Sequence, residues 1–297
     1  MGKHAYLIIA HNNWKQLQFL LQILEDDRND FFLLIDAKAK DFNKEEFLQG
    51  CKCSRIYFAE PIRIHWGDYS QILAELTLIK LAINTGKYDY MHLVSAVDMP
   101  LRSQDEIHKF FDDNLGCEFI DFDSYDDTSW AKERLQTYYY FQKFIGRRKH
   151  DPVKLFRDFL MIVQKAFGVN RVKDIEEFLG KGANWFSITG SFAEYIVDNE
   201  AFIHDHFKQT YCADEVFIQT MLKMSPFRDN WYGNKNKEIQ YQNLRLTDWN
   251  RGKPYTFPKN EYFELCKNSD YVFARKFGSD IMAEEVLQYL TKDLGEV

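Results

Sequence analysis

The sequence predicts an α/β protein built on one open, mostly parallel sheet. Short apolar runs alternate with helical periodicity through the first 123 residues. These runs are continuous rather than alternating, as strands covered on both faces are. Several of them end on a polar residue, at the edge where an open parallel sheet places its ligand.

The elements follow in order. Ala5–Ala10 reads as a buried first strand, closed by His11. Residues 13–26 carry Leu17, Leu20, Leu21 and Leu24 at helical spacing. Phe31–Ile35 is a second strand ending on Asp36, and Arg55–Phe58 a short third. The Trp66-Gly67 loop opens a strong helix from Tyr69 to Asn84, marked by Ile72, Leu73, Leu76, Leu78, Ile79 and Leu81. Tyr90–Val94 is a fourth strand that runs into Ser95-Ala-Val-Asp98-Met-Pro100, and Glu118–Asp121 a fifth. From residue 124 to 178 the alternation lapses: Tyr138–Phe141 gives way to Phe144–His150, with Arg147, Arg148 and Lys149, and then to the amphipathic Val153–Phe167. That stretch reads as an insertion. Its basic segment either lines a cleft, touches anionic lipid, or is an exposed loop leading into an amphipathic core helix. Sheet rhythm resumes at Asn184–Ile188, followed by helices over Gly190–Asp198 and Asp214–Met224.

Composition narrows the function. With 297 residues, 45% of them hydrophobic, the chain can bury a large core as one domain with an insertion. A net charge of −7 argues against nucleic acid as partner. Cys51, Cys53, Cys117, Cys212 and Cys266 are odd in number and lack CxxC spacing, so neither a disulfide framework nor a zinc site is expected, and a reducing compartment is. The first apolar run is too short for a signal sequence or a membrane span, which leads to the expectation of a soluble, cytoplasmic protein. After the first strand stands Ala10-His-Asn-Asn13, not a glycine-rich phosphate loop, which disfavours a nucleotide-dependent oxidoreductase.

Near the carboxyl end, Tyr271-Val-Phe-Ala-Arg275-Lys276-Phe277 sets two adjacent cations in an apolar run. Either their stems lie over Phe273 and Phe277 on a surface strand, or an anion shares their site. Upstream, Leu244-Arg-Leu-Thr-Asp-Trp249-Asn-Arg251 ends in another arginine on an aromatic-flanked strand. Arg251, Arg275 and Lys276 converging on one point would clamp a diphosphate without a metal ion. The Asp121-Phe122-Asp123 triplet reads either as a strand end with acidic turn residues or as a divalent-ion site.

Taken together, Tyr6–His11, Leu34–Asp36, Ile64–Gly67, His92–Arg102, Gly182–Phe186, Ala213–Glu215, Leu244–Arg251 and Phe273–Phe277 resemble the inverting glycosyltransferases of the core-2/I-branching N-acetylglucosaminyltransferase and peptide xylosyltransferase family. Trp249-Asn-Arg251 and Ala274-Arg-Lys-Phe277 bring the xylosyltransferase branch nearest.

The resemblance implies a GT-A fold, a UDP-sugar donor and no metal cofactor. It implies Glu215 as the base, where the bare sequence would read Asp214-Glu215 as first-turn acids of a helix. By the same resemblance Asp36 contacts uracil or ribose, His11 and Trp66 border the nucleotide, and Ser95 and Asp98 lie against the donor. Asn184 and Trp185 face the acceptor; Asn184 stands where the xylosyltransferase branch carries an aspartate, so a different acceptor is expected. Residues 1–123 then form the nucleotide-binding half, 124–180 an insertion facing the acceptor, and 181–297 the acceptor and catalytic half. The expected function is metal-independent transfer of N-acetylglucosamine from a UDP-sugar to a glycan or lipid-linked oligosaccharide. The setting would be bacterial surface-glycan synthesis, in the cytoplasm or at the inner face of the plasma membrane. Transfer of xylose, glucose or galactose, or carbohydrate binding without turnover, are the alternatives.

Overall fold

The computed structural model describes residues 2–48, 52–146 and 151–291. Six strands form the main sheet: β1 (His4–Ala10), β2 (Asn29–Ile35), β3 (Arg55–Phe58), β4 (Tyr90–Ser95), β6 (Phe119–Ile120) and β7 (Phe186–Thr189). Their order is β3-β2-β1-β4-β7-β6. Strands β1 to β4 run parallel; β7 runs antiparallel to both β4 and β6. The first strands are buried nearly throughout, which is why they read as continuous apolar runs. Chain order reverses between β1 and β4, and this switch point opens a crevice at the strands' carboxyl ends.

A second, three-stranded sheet has the order β5-β9-β8, from β5 (Asp98–Pro100), β8 (Arg245–Thr247) and β9 (Phe273–Arg275). Its register sets Asp98 opposite Arg275 and Arg275 beside Thr247. The sequence reading has a strand at Leu244–Arg251 and offers one at Arg275-Lys276, but it has no second sheet and no strand at Asp98. Arg251, expected at the end of a strand, lies beyond β8 in an irregular turn.

Two cores cover the main sheet. One is built from helices Ser70–Thr85, Gly190–Asp198 and Phe217–Met224; the other from helices Trp14–Leu24, Gln104–Asp113 and Lys259–Asn268, with the small sheet. Ser103 starts the Gln104–Asp113 helix with a capping box closed by Glu106. Asp214-Glu215 sits in a short 3₁₀ turn that precedes Phe217–Met224 rather than in its first turn.

Between residues 124 and 180 the described segments are helical: Ser129–Leu135, Gln142–Ile145, Pro152–Ala166 and the 3₁₀ turn Glu176–Phe178. Asp151 caps the longest, its carboxylate accepting from Val153 N at 2.9 Å ahead of Pro152 at the first helical position. Arg147, Arg148, Lys149 and His150, and also Cys51, lie outside the described residues.

Candidate active site

A cleft of about 310 Å³ opens at the β1/β4 switch point. The end of β1 supplies Ile9, Ala10 and His11; the end of β4 supplies Ser95, Ala96 and Val97. Because β7 runs antiparallel, the residues that precede it, Asn184 and Trp185, reach the same end of the sheet. Arg275 and Lys276 enter from the end of β9, and Gln71 and Glu75 from the helix Ser70–Thr85.

Arg275 is held from two sides. Its guanidinium lies 3.9 Å from the centre of the Trp185 ring, and its Nε is 3.4 Å from Asp98 Oδ1. Asp98 is 2% exposed, and its other oxygen accepts from Ser95 N at 2.7 Å. The carboxylate therefore shapes the Ser95 turn and aims the arginine at once. Burial pulls the Arg275 pKa below its ordinary value, and Asp98 opposes that shift. A cation so desolvated, in a cleft with Lys276 beside it, is a site where an incoming anion is stabilised.

Beneath it, Arg245 is buried and donates to Leu93 O at 3.2 Å, Asn243 O at 2.6 Å and Ser187 Oγ at 3.1 Å. These bonds tie β8 to β4 and β7. Burial depresses the Arg245 pKa to about 9.

A chain of carboxyl groups runs back from the cleft. Asn184 and the buried Glu75 line the cleft together, and the Glu75 pKa is pushed well above its ordinary value by burial first, then by Asp214. Gln71 Nε2 donates to Asp214 Oδ2 at 2.7 Å, while its Oε1 accepts from Gly67 N. Burial, then Glu215, lift Asp214 to about 7. Gly67 adopts a φ of +69°, and a Cβ there would come within 3.0 Å of the Tyr211 ring. Gln71 thus links the Trp66-Gly67 loop to Asp214-Glu215.

The Glu215 pKa is raised by burial, and Lys181 and Arg134 counter that shift. Arg134 belongs to the insertion helix Ser129–Leu135 and stacks on Trp130 and Tyr211 at 4.3 and 4.2 Å.

Of the residues singled out from the sequence, His11, Ser95, Asn184, Trp185, Arg275 and Lys276 line one cleft, with Asp98 directly behind Arg275. Four lie elsewhere. Asp36 is buried behind the cleft-lining Ile64, accepting from Lys38 N at 2.9 Å and from Ile64 N at 3.4 Å. Trp66 lines a neighbouring cleft with Lys38, Lys143 and Phe144. Glu215 is not among the residues lining the main cleft.

Arg251 does not share the cleft with Arg275 and Lys276 either. Glu261, 2.9 Å away, and Asp248 hold it over the Tyr255 ring at 4.0 Å. The three-cation convergence is thus met by two, because local carboxylates hold the third. Tyr255 O accepts from Lys276 N at 3.4 Å, so Arg251 stands one residue behind the rim.

Phe273 and Phe277, expected under the stems of Arg275 and Lys276 on a surface strand, are core rings, and Trp185 carries Arg275 instead. Asp121 and Asp123 have different partners: Asp121 accepts from Gln242 N at 3.2 Å, and Asp123 pairs with Lys181. Burial lifts Asp121 to about 7.

Glu75 and Gln71 are missing from the sequence reading. The signal was present, since Glu75 shares the helix face of Ile72, Leu76 and Ile79, where a carboxylate is out of place unless the fold uses it.

Several known proteins are similar to this chain. Rat Xylosyltransferase 2 is 25% identical over 313 residues, covering 96% of this chain and 33% of the relative. Human Xylosyltransferase 2 is 24% identical over 307 residues. Mouse Xylosyltransferase 1 is 23% identical over 261 residues, 83% of this chain. The chain spans about a third of the length of the first of these relatives. A crystal structure of mouse xyloside xylosyltransferase 1 aligns over 95% of this chain with 9% identity and a TM-score of 0.38, too loose to bear on the site. The model of the family described as Branch, Core-2/I-Branching enzyme, matches residues 4–271, and the chain belongs to that family.

Proposed function

We propose that this protein transfers a sugar from a UDP-sugar to a glycan hydroxyl, with inversion and without a divalent ion, on a GT-A type scaffold. The observation that carries the reading is Arg275: a part-desolvated guanidinium aimed by Asp98 and Trp185 into a cleft at the sheet's switch point, with Lys276 next to it. Two cations can offset a diphosphate leaving group, the arginine through paired N–H bonds and the lysine as a point charge. Arg251 joins them only by leaving its carboxylate partners.

His11 and Ser95 border the nucleotide in this reading, and Asp36 supports that wall through Ile64. Glu215 is the base that takes the acceptor proton. Its burial favours a raised pKa, which suits proton abstraction near neutral pH. Arg134 and Trp130 bring the insertion to Glu215, which supports an acceptor-facing role for residues 124–180. Asn184, which lines the cleft with Glu75, contacts the acceptor.

N-acetylglucosamine is the first donor sugar we propose, and the names of the relatives favour xylose as the second. The proposed setting is bacterial surface-glycan synthesis with a glycan or lipid-linked acceptor. UDP release measured with UDP-N-acetylglucosamine, UDP-xylose, UDP-glucose and UDP-galactose, each with glycan acceptors, tests the reading. Acceptor-dependent release with one donor supports it; UDP binding without release from any donor would make the protein a binder.

A further inference from the structure

The helix Pro152–Ala166 is attached to the protein by its polar side. Arg157, its one residue described as buried, donates to Gln142 Oε1 at 2.8 Å, and Gln164 exchanges hydrogen bonds with both the N–H and the C=O of Tyr138. Arg157 and Gln164 are seven positions apart and so share a face. The opposite face is apolar and faces outward: Leu155 is 71% exposed, Phe159 58% and Ile162 66%. Phe167, at the helix end, is 83% exposed, and Phe144 from the preceding short helix Gln142–Ile145 is exposed too. A core helix turns its apolar side inward, so the amphipathic core helix weighed from the sequence is reversed here. A contiguous apolar surface of this kind marks an interaction site.

The surrounding charge identifies the partner. Among the described residues of 143–173, six Lys and Arg stand against two Asp, and Lys143, Lys165 and Lys173 are exposed. A second copy seated face to face would bring the same cations opposite these. Cations bordering a Phe, Leu and Ile face match a bilayer interface, where acyl boundary and lipid phosphate lie side by side.

We propose that this helix, with Phe144, seats the protein on an anionic lipid surface. The apolar face enters the headgroup boundary while Lys143 and Lys165 meet lipid phosphates. Phe144 and Lys143 also line the cleft that contains Trp66, so the seated face adjoins the candidate active site.

Cosedimentation with vesicles of phosphatidylcholine alone, and of phosphatidylcholine mixed with phosphatidylglycerol, tests this. Wild type is expected to pellet with the anionic vesicles and to be released by salt. Phe159→Ser with Ile162→Ser removes binding, and Lys143→Glu with Lys165→Glu weakens it by about tenfold or more. All four positions are exposed, so unchanged unfolding midpoints confirm that the variants fold. Failure to pellet with anionic vesicles, equal pelleting with both compositions, or wild-type binding by the Ser variant overturns the proposal. So does a dimer in sedimentation velocity that the Ser variant dissolves while vesicles are ignored, which would assign the face to a second copy.

Discussion

Replacing Asp98 by Asn should destabilise the protein more when Arg275 is present than when it is not. The two side chains are 3% and 11% exposed and their charged atoms stand 3.4 Å apart. Removing one partner of such a pair leaves the other's charge buried without its counterion, at a cost of about 3–5 kcal/mol. Asn retains an oxygen for Ser95 N but turns an amide toward the guanidinium, so we expect about 3 kcal/mol. Arg275→Met keeps an unbranched stem on Trp185 and leaves the Asp98 carboxylate without its counter-ion, for a loss of similar size. The double variant removes both charges at once. The two single losses should therefore exceed the double loss by about 2 kcal/mol, well above the ~0.5 kcal/mol scatter of independent sites. Urea unfolding of the four proteins, with the m-values compared, gives the cycle. Additive losses would show that Asp98 does not hold Arg275, and the aimed cation would lose its support.

Two further outcomes follow from the carboxyl groups. Asp121 ordinarily titrates at 3.8 and is lifted to about 7 by burial. A folded pKa above the unfolded one means that its contribution is full below about pH 4 and lost as pH rises through 7. Asp121→Asn should flatten the stability fall between pH 5 and pH 8 by on the order of 3 kcal/mol, read from urea unfolding at each pH; a slope equal to wild type would refute the burial account. Glu215→Gln should cut turnover by about 10²–10⁴-fold while UDP affinity stays near wild type. Retained turnover would move the base elsewhere, and Glu75→Gln would be the next variant to assay.

The sequence was most legible where one physical cause acted alone. Runs such as Phe31–Ile35 and Tyr90–Val94 are apolar because helices cover both faces, and they fall within a residue or two of the observed β2 and β4. The small sheet was not legible. Its strands are three residues each and join Asp98 to Arg275 across most of the chain, so no local pattern marks their pairing or the strand at Asp98. Arg251 was misplaced for a related reason: its ion pair with Glu261 depends on the turn between them. The helix Pro152–Ala166 was legible as amphipathic, but periodicity does not say which face turns inward. Only Arg157 and Gln164 with their partners answer that.

The central claim is that Arg275 and Lys276 receive a diphosphate. Calorimetric titration of UDP in EDTA, repeated with Mn²⁺ and on the Arg275→Ala, Lys276→Ala variant, tests it most directly. The account predicts binding in EDTA that Mn²⁺ does not improve and that the variant loses, while uridine binding changes far less. UDP binding that needs Mn²⁺, or equal losses for UDP and uridine in the variant, would contradict it.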